Sequence, residues 1–127
     1  MPKSSLSHIE RLSVDGLEIE TSDARVVLRG KMTSRQPEAS IQPHIRKIHD
    51  AATELPLTDV EVDVTELSFV NSSAIRLFVD WAMWAKGTTD TPHYRLTFKA
   101  KEGITWQRMT LTALTSLAPT VVRVETV

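Results

Sequence analysis

The sequence contains no cysteine. That excludes disulfides, thiolate metal sites and cysteine nucleophiles, and it fits a reducing compartment. No stretch approaches the roughly 20 consecutive apolar residues of a membrane-spanning helix, so membrane insertion is not expected. Only 4 glycines are present, and none belongs to a phosphate-cradling loop or a nucleophile elbow. No paired carboxylates suggest acid–base chemistry either. Neither sign of charge dominates: 15 Lys and Arg face 16 Asp and Glu, interspersed, for a net charge of −1, which gives no electrostatic case for nucleic acid or an acidic surface. Of the histidines, His44 and His49 lie closest in sequence, but five positions on a helix turn them about 140° apart, a poor metal pair. An enzyme, a metal and a cofactor are therefore not expected. The opening "MPKSSLSHIERL" has no apolar core of a signal peptide, and neither an internal repeat nor a low-complexity tract is found.

What is present suits one soluble domain. The chain has 127 residues, 41% hydrophobic and 24% charged, enough to bury one core unaided. A single domain over 1–127 is expected, with 1–8 as a flexible tail, in the cytoplasm.

"LSVDGLEIE" sets Asp15-Gly16 between alternating apolar residues, a hairpin signal. "ARVVLRG" continues as a further strand and "KMTSRQPE" as a loop. Pro37 suits a helix's first turn, with Ser34 or Arg35 as cap candidates. Ile41, Ile45, Ile48 and Ala52 then mark one face of a helix ending near Leu55-Pro56. In "DVEVDVTELSFV", Val60, Val62 and Val64 alternate with acidic residues, which predicts a central strand. "SSAIRLFVDWAMWAKG" is a helix ending at Gly87, "HYRLTFKA" a strand, "ITWQRMTLTALTSLAP" a helix and "TVVRVETV" the last strand. The order predicts an α/β fold: a mixed sheet opened by an antiparallel hairpin, with about three helices supplying right-handed crossovers.

The informative junction is "FVNSSAIRLF", residues 69–78. Asn71 is well suited to cap a helix. Ser72 then falls at its first position, near unpaired donors and the positive end of the helix dipole. Serines at helix starts are ordinarily caps, so local chemistry allows a modified serine without requiring it. In the helix that follows, Ala74, Ile75, Phe78, Ala82 and Ala85 share an expected core face, with Arg76 and Asp80 opposite. Leu77, Trp81 and Trp84 share one flank, which either packs on a neighbouring helix or forms an exposed strip where a partner docks. Asp63, on the central strand, is expected to reach a sheet end or cap a loop rather than to act in catalysis.

The element order, together with Asp63 eight residues before "NSSA" and "RVVLRGKMT" upstream, resembles the STAS domain, the fold of bacterial anti-sigma factor antagonists. The resemblance runs from about Ala24 to Val127. It implies a non-enzymatic partner-switching protein in which Ser72, or as second choice Ser73, is phosphorylated, with Asn71, Asp63, Thr33 and Gly30 supporting the switch and Leu77, Trp81, Trp84 and Arg76 docking the partner. The implied partners are proteins: an anti-sigma factor or serine kinase-like ATPase, a phosphatase, or another signalling protein. Asn71 stands where the family carries Asp, Ala74 where it carries Gly, and Thr33 where an acidic residue is usual. Asn71 removes a carboxylate that would repel a phosphate on Ser72. An asparagine there is also similar to biofilm-regulatory phosphoproteins of this fold that act on a diguanylate cyclase. A further alternative is a non-phosphorylated STAS subunit, as in a lipid-transport complex.

Overall fold

Asp15 and Gly16 both adopt positive φ, 49° and 83°, the twist a two-residue hairpin turn needs. They join β1 (Leu12–Val14) to β2 (Leu17–Ser22), and β2 turns back into β3 (Arg25–Met32). The computed structural model describes residues 6–55, 57–88 and 91–127. After β3 come α1 (Pro37–Ser40), α2 (Gln42–Glu54), β4 (Asp59–Val70), α3 (Ser72–Lys86), β5 (Arg95–Ala100), α4 (Thr105–Leu117) and β6 (Val122–Thr126). The strands form one six-stranded sheet in sequence order. The pairs β1–β2 and β2–β3 are antiparallel, and the later pairs are parallel. The fold is thus α/β, with a mixed sheet and four helices.

Crossovers of one hand that advance steadily along a sheet place their helices on one face, and the burial pattern matches. Val26 and Leu28 of β3, Val60, Val62 and Val64 of β4, and Leu96 and Phe98 of β5 are buried on the helix side. The opposite face is polar and carries its own ion pairs. Arg25 bonds Glu61 at 2.8 Å and Asp63 at 2.6 Å, while Arg29 reaches Glu20 and Glu66. Asp63 therefore neither reaches a sheet end nor caps a loop: it lies within β4, paired with Arg25 on the open face. Burial pushes its carboxyl pKa up, but hydrogen bonds from the Thr65 hydroxyl and N–H and from Arg25 outweigh that and hold it below the ordinary carboxylate range.

Three local readings need correction. Residues 1–5 of the expected tail lie outside the described residues, but Leu6–His8 form a 3-10 turn with Leu6 fully buried. The Leu6 N–H donates to the Asp23 carbonyl at 2.6 Å. The helix expected from Pro37 is broken at Ile41 into α1 and α2, because Pro43 in the first turn of α2 cannot donate the bond that would continue α1. Gln36, rather than Ser34 or Arg35, is the cap residue of α1, although the Ser34 hydroxyl accepts from the Gln36 N–H at 3.2 Å.

Between α2 and α3 lies a buried polar chain. Trp81 Nε1–H donates to the Tyr94 hydroxyl at 3.0 Å, and that hydroxyl lies 2.7 Å from His49 Nδ1. With one lone pair occupied by the indole, the phenol donates its proton to a neutral imidazole. Burial raises the Tyr94 pKa, keeping the phenol protonated. Burial, with Arg46 adding to it, lowers the pKa of His49; burial and Lys47 lower that of His44. The unfolded chain takes up these protons near pH 6.5, the folded one only below that. Stability is therefore complete above about pH 6.5 and falls as the solution is acidified toward the folded values. Urea midpoints should drop between about pH 7.5 and 5.5, and a flat profile would show that neither imidazole is held neutral by the fold.

Candidate functional site

The C-terminal ends of the parallel strands meet a helix start at Asn71. The strand ahead of it is irregular: the β3–β4 register shifts between Val27 and Arg29 and again between Gly30 and Lys31. At these bulges the β4 carbonyls find side-chain donors on α4. Gln107 Nε2 donates to Val64 O at 2.6 Å and Leu67 O at 3.1 Å, and Trp106 Nε1 donates to Leu67 O at 2.9 Å. Gln107 Oε1 also accepts from the Lys101 N–H at 2.8 Å, just past the last β4–β5 pair, Asp63 with Lys99. Gln107 thus locks the start of α4 into the place where the two strands part. Its signal was in the sequence: it sits three after Ile104 and four before Leu111, a polar residue inside an apolar stripe.

Asn71 is tied on three sides. Its Oδ1 accepts from the Ala74 N–H at 2.8 Å, its Nδ2 donates to Ser34 O at 2.9 Å, and its own N–H donates to Met32 O at 3.0 Å. The cap therefore also fastens the loop after β3 to the start of α3. Thr33, exposed, is bracketed by the two β3-side carbonyls that Asn71 holds. Asn71→Ala loses the cap and the loop tie together. We expect a cost near the upper end of the usual 0.5–2 kcal/mol for a cap, read as a shift in urea midpoint; a loss of a few tenths would mean the loop is held by other contacts.

Ser72 and Ser73 are both exposed, at the first two positions of α3. They point differently. Ser72, Ile75 and Val79 follow each other at three and four residues and share a face. Ser73 is turned about 100° away, toward Asp80. Ile75 and Val79 line a mostly apolar groove of about 250 Å³ between α3 and α4, completed by Met109, Thr110, Ala113, Leu114 and Leu117. Met109 is 66% and Leu117 49% exposed, and Met83 on α3 is 41% exposed. Ser72 therefore stands at the head of an exposed apolar surface. Arg76, one turn on, is exposed and reaches Asp80 only at 3.8 Å.

The other expected residues are placed elsewhere. Asp63 is roughly 25 Å back along β4 at strand spacing and holds Arg25 on the open face, so it does not support the junction directly. Gly30 has φ of 97°, and a Cβ there would collide with the Gly16 carbonyl; it seats the first hairpin against β3. The exposed strip of Leu77, Trp81 and Trp84 does not exist as a unit. Leu77 and Trp81 are buried, because the core face of α3 is rotated toward them and Ile75 is left half-exposed. Trp84 is half-buried between His49, at 5.8 Å, and the Arg46 guanidinium, 4.9 Å from its ring.

Among the described residues no group of three or more His, Asp or Glu is placed to hold a metal ion, and no helix is long and apolar enough to cross a membrane. No protein-family model matches the sequence, and no curated protein matches it.

Proposed function

We propose that this chain is a non-enzymatic, STAS-type partner-switching protein of the cytoplasm, regulated by phosphorylation of Ser72. The observation that carries the reading is the position of Ser72: an exposed hydroxyl at the first residue of α3, on the same face as Ile75 and Val79, at the head of an exposed apolar groove. A phosphate there adds about −1.5 to −2 charges and three acceptor oxygens. The positive end of α3 tolerates it, Asn71 presents no carboxylate against it, and Arg76 is one turn away. A partner whose apolar side chains fill the groove would have to desolvate that charge, so modification releases it. Ser73, on a different face, is the second choice.

The apolar groove by itself also favours a second reading: a STAS interaction subunit that docks through α3 and α4 and is never phosphorylated. A phosphoprotein acting on a diguanylate cyclase would use the serine and the groove alike.

Affinity capture from an extract of the native host separates these readings. Under the switch, proteins held by Ser72→Ala are lost with Ser72→Asp, at least in part since aspartate carries less charge than phosphate, and lost with Leu117→Asp in the groove. Loss with Leu117→Asp alone supports the unmodified subunit. Capture unchanged by both variants contradicts any role for this surface.

A further inference from the structure

Among the described residues no strand pairs with the outer edge of the sheet at β6 (Val122–Thr126), which is hydrogen-bonded to β5 on one side only. The opposite edge strand, β1, has only three residues, whereas β6 has five, all of them from "VRVET", with no proline, glycine or lysine to discourage pairing. The ladder shows which groups are free. The Leu96 N–H donates to Val121 O at 2.8 Å and the Val127 N–H to Ala100 O at 2.9 Å. Since alternate residues of a parallel strand face the same neighbour, positions 121, 123, 125 and 127 turn their backbone groups to β5. Val124 and Thr126 turn theirs outward, as does the Val122 carbonyl; the Val122 N–H is already bonded to Ala118 O at 2.9 Å.

We propose that β6 pairs antiparallel with β6 of a second copy of this chain, about a two-fold axis at Val124, joining the two sheets into one. In this register Val124 faces Val124 of the second copy as a hydrogen-bonded pair. The Thr126 N–H of each copy meets the Val122 carbonyl of the other, which is unspent. Arg123 and Glu125, both exposed on the open face, come opposite Glu125 and Arg123 of the second copy, so the strand is charge-complementary to itself only in this orientation. A parallel pairing would oppose like charges. On the helix side a groove of about 780 Å³ runs along β6, lined by Leu111, Thr115, Val124 and Thr126 among others, and the second copy's edge would close it. The contact is isologous and closes on itself, so it yields a dimer rather than a fibre. It does not depend on Ser72 or the α3–α4 groove, which lie on another side of α4.

Sedimentation equilibrium of the full chain across a dilution series tests this. The wild type should show a monomer–dimer equilibrium. Arg123→Glu, which sets like charges opposite each other twice, should weaken the dimer about tenfold or more. The double exchange Arg123→Glu with Glu125→Arg should restore it. Val124→Pro, which removes an outward N–H and none of those facing β5, should abolish dimerisation while the thermal transition of the monomer persists. A chain monomeric to about millimolar concentration, where even weak contacts are populated, would overturn the proposal. So would a dimer indifferent to Arg123→Glu, or one that the double exchange fails to rescue. If the monomer instead captures an extended peptide along β6, the edge serves another partner and the dimer is rejected.

Discussion

Replacing Trp81 with alanine should cost about 3–5 kcal/mol, the range for removing a large side chain from a close-packed core. Trp81 is fully buried and is one of the largest side chains in the core. Its loss leaves a void beside Tyr94 and takes a donor from the Tyr94 hydroxyl, loosening the phenol's hold on His49. Because domains of this size are stable by only about 5–15 kcal/mol, the variant should lie close to unfolding at room temperature. Trp84→Ala is the contrast: half-buried, with the Arg46 guanidinium over its ring, it should cost about 1–2 kcal/mol. Urea midpoints of the two variants measure the gap. Equal losses would mean that the core face of α3 is not rotated as described.

Gly30→Ala should cost about 3 kcal/mol or more. Two effects combine: a φ of 97° that an alanine rarely adopts, and a Cβ driven into the Gly16 carbonyl. Backbone rather than a flexible side chain is in the way, so relief requires moving the β1–β2 turn, whose Gly16 carbonyl also accepts from the Lys31 N–H at 3.2 Å. Gly103 supplies the control. Its φ is 93°, but nothing lies within 4 Å of a Cβ there, so Gly103→Ala carries only the conformational cost, about 1 kcal/mol. Denaturant unfolding of the pair separates collision from strain, and similar losses at both positions would remove the collision from the account.

Strand alternation and helical spacing carried the architecture because each apolar face is buried by one partner layer. Val60, Val62 and Val64 announce β4 for that reason, and Asp15-Gly16 announces the first turn because few residues take positive φ. The rotation of α3 was not legible. Nearly every position from Ala74 to Ala85 except Arg76 and Asp80 is apolar, so periodicity leaves two adjacent stripes of similar strength. What decides between them is the position of Tyr94, thirteen residues beyond Trp81, whose hydroxyl draws the indole inward. The bulges of β4 were hidden for a related reason: Val64 and Leu67 read as one apolar run, and the partners that satisfy their carbonyls, Trp106 and Gln107, are distant in sequence. At the junction, the cap itself was legible in "NSSA", since Asn71 acts on its own helix. The groove that gives Ser72 its setting was not, because most of its lining comes from α4.

The proposed switch requires that Ser72 carry a phosphate in the native host. The most direct measurement is intact mass followed by phosphopeptide mapping of the protein purified from its native host with phosphatases inhibited. The expected result is a species heavier by one phosphate, with the phosphate on Ser72 and absent from the Ser72→Ala variant, which should fold as the wild type does. Phosphate on any other residue, or an unmodified chain under every condition of growth, would contradict it.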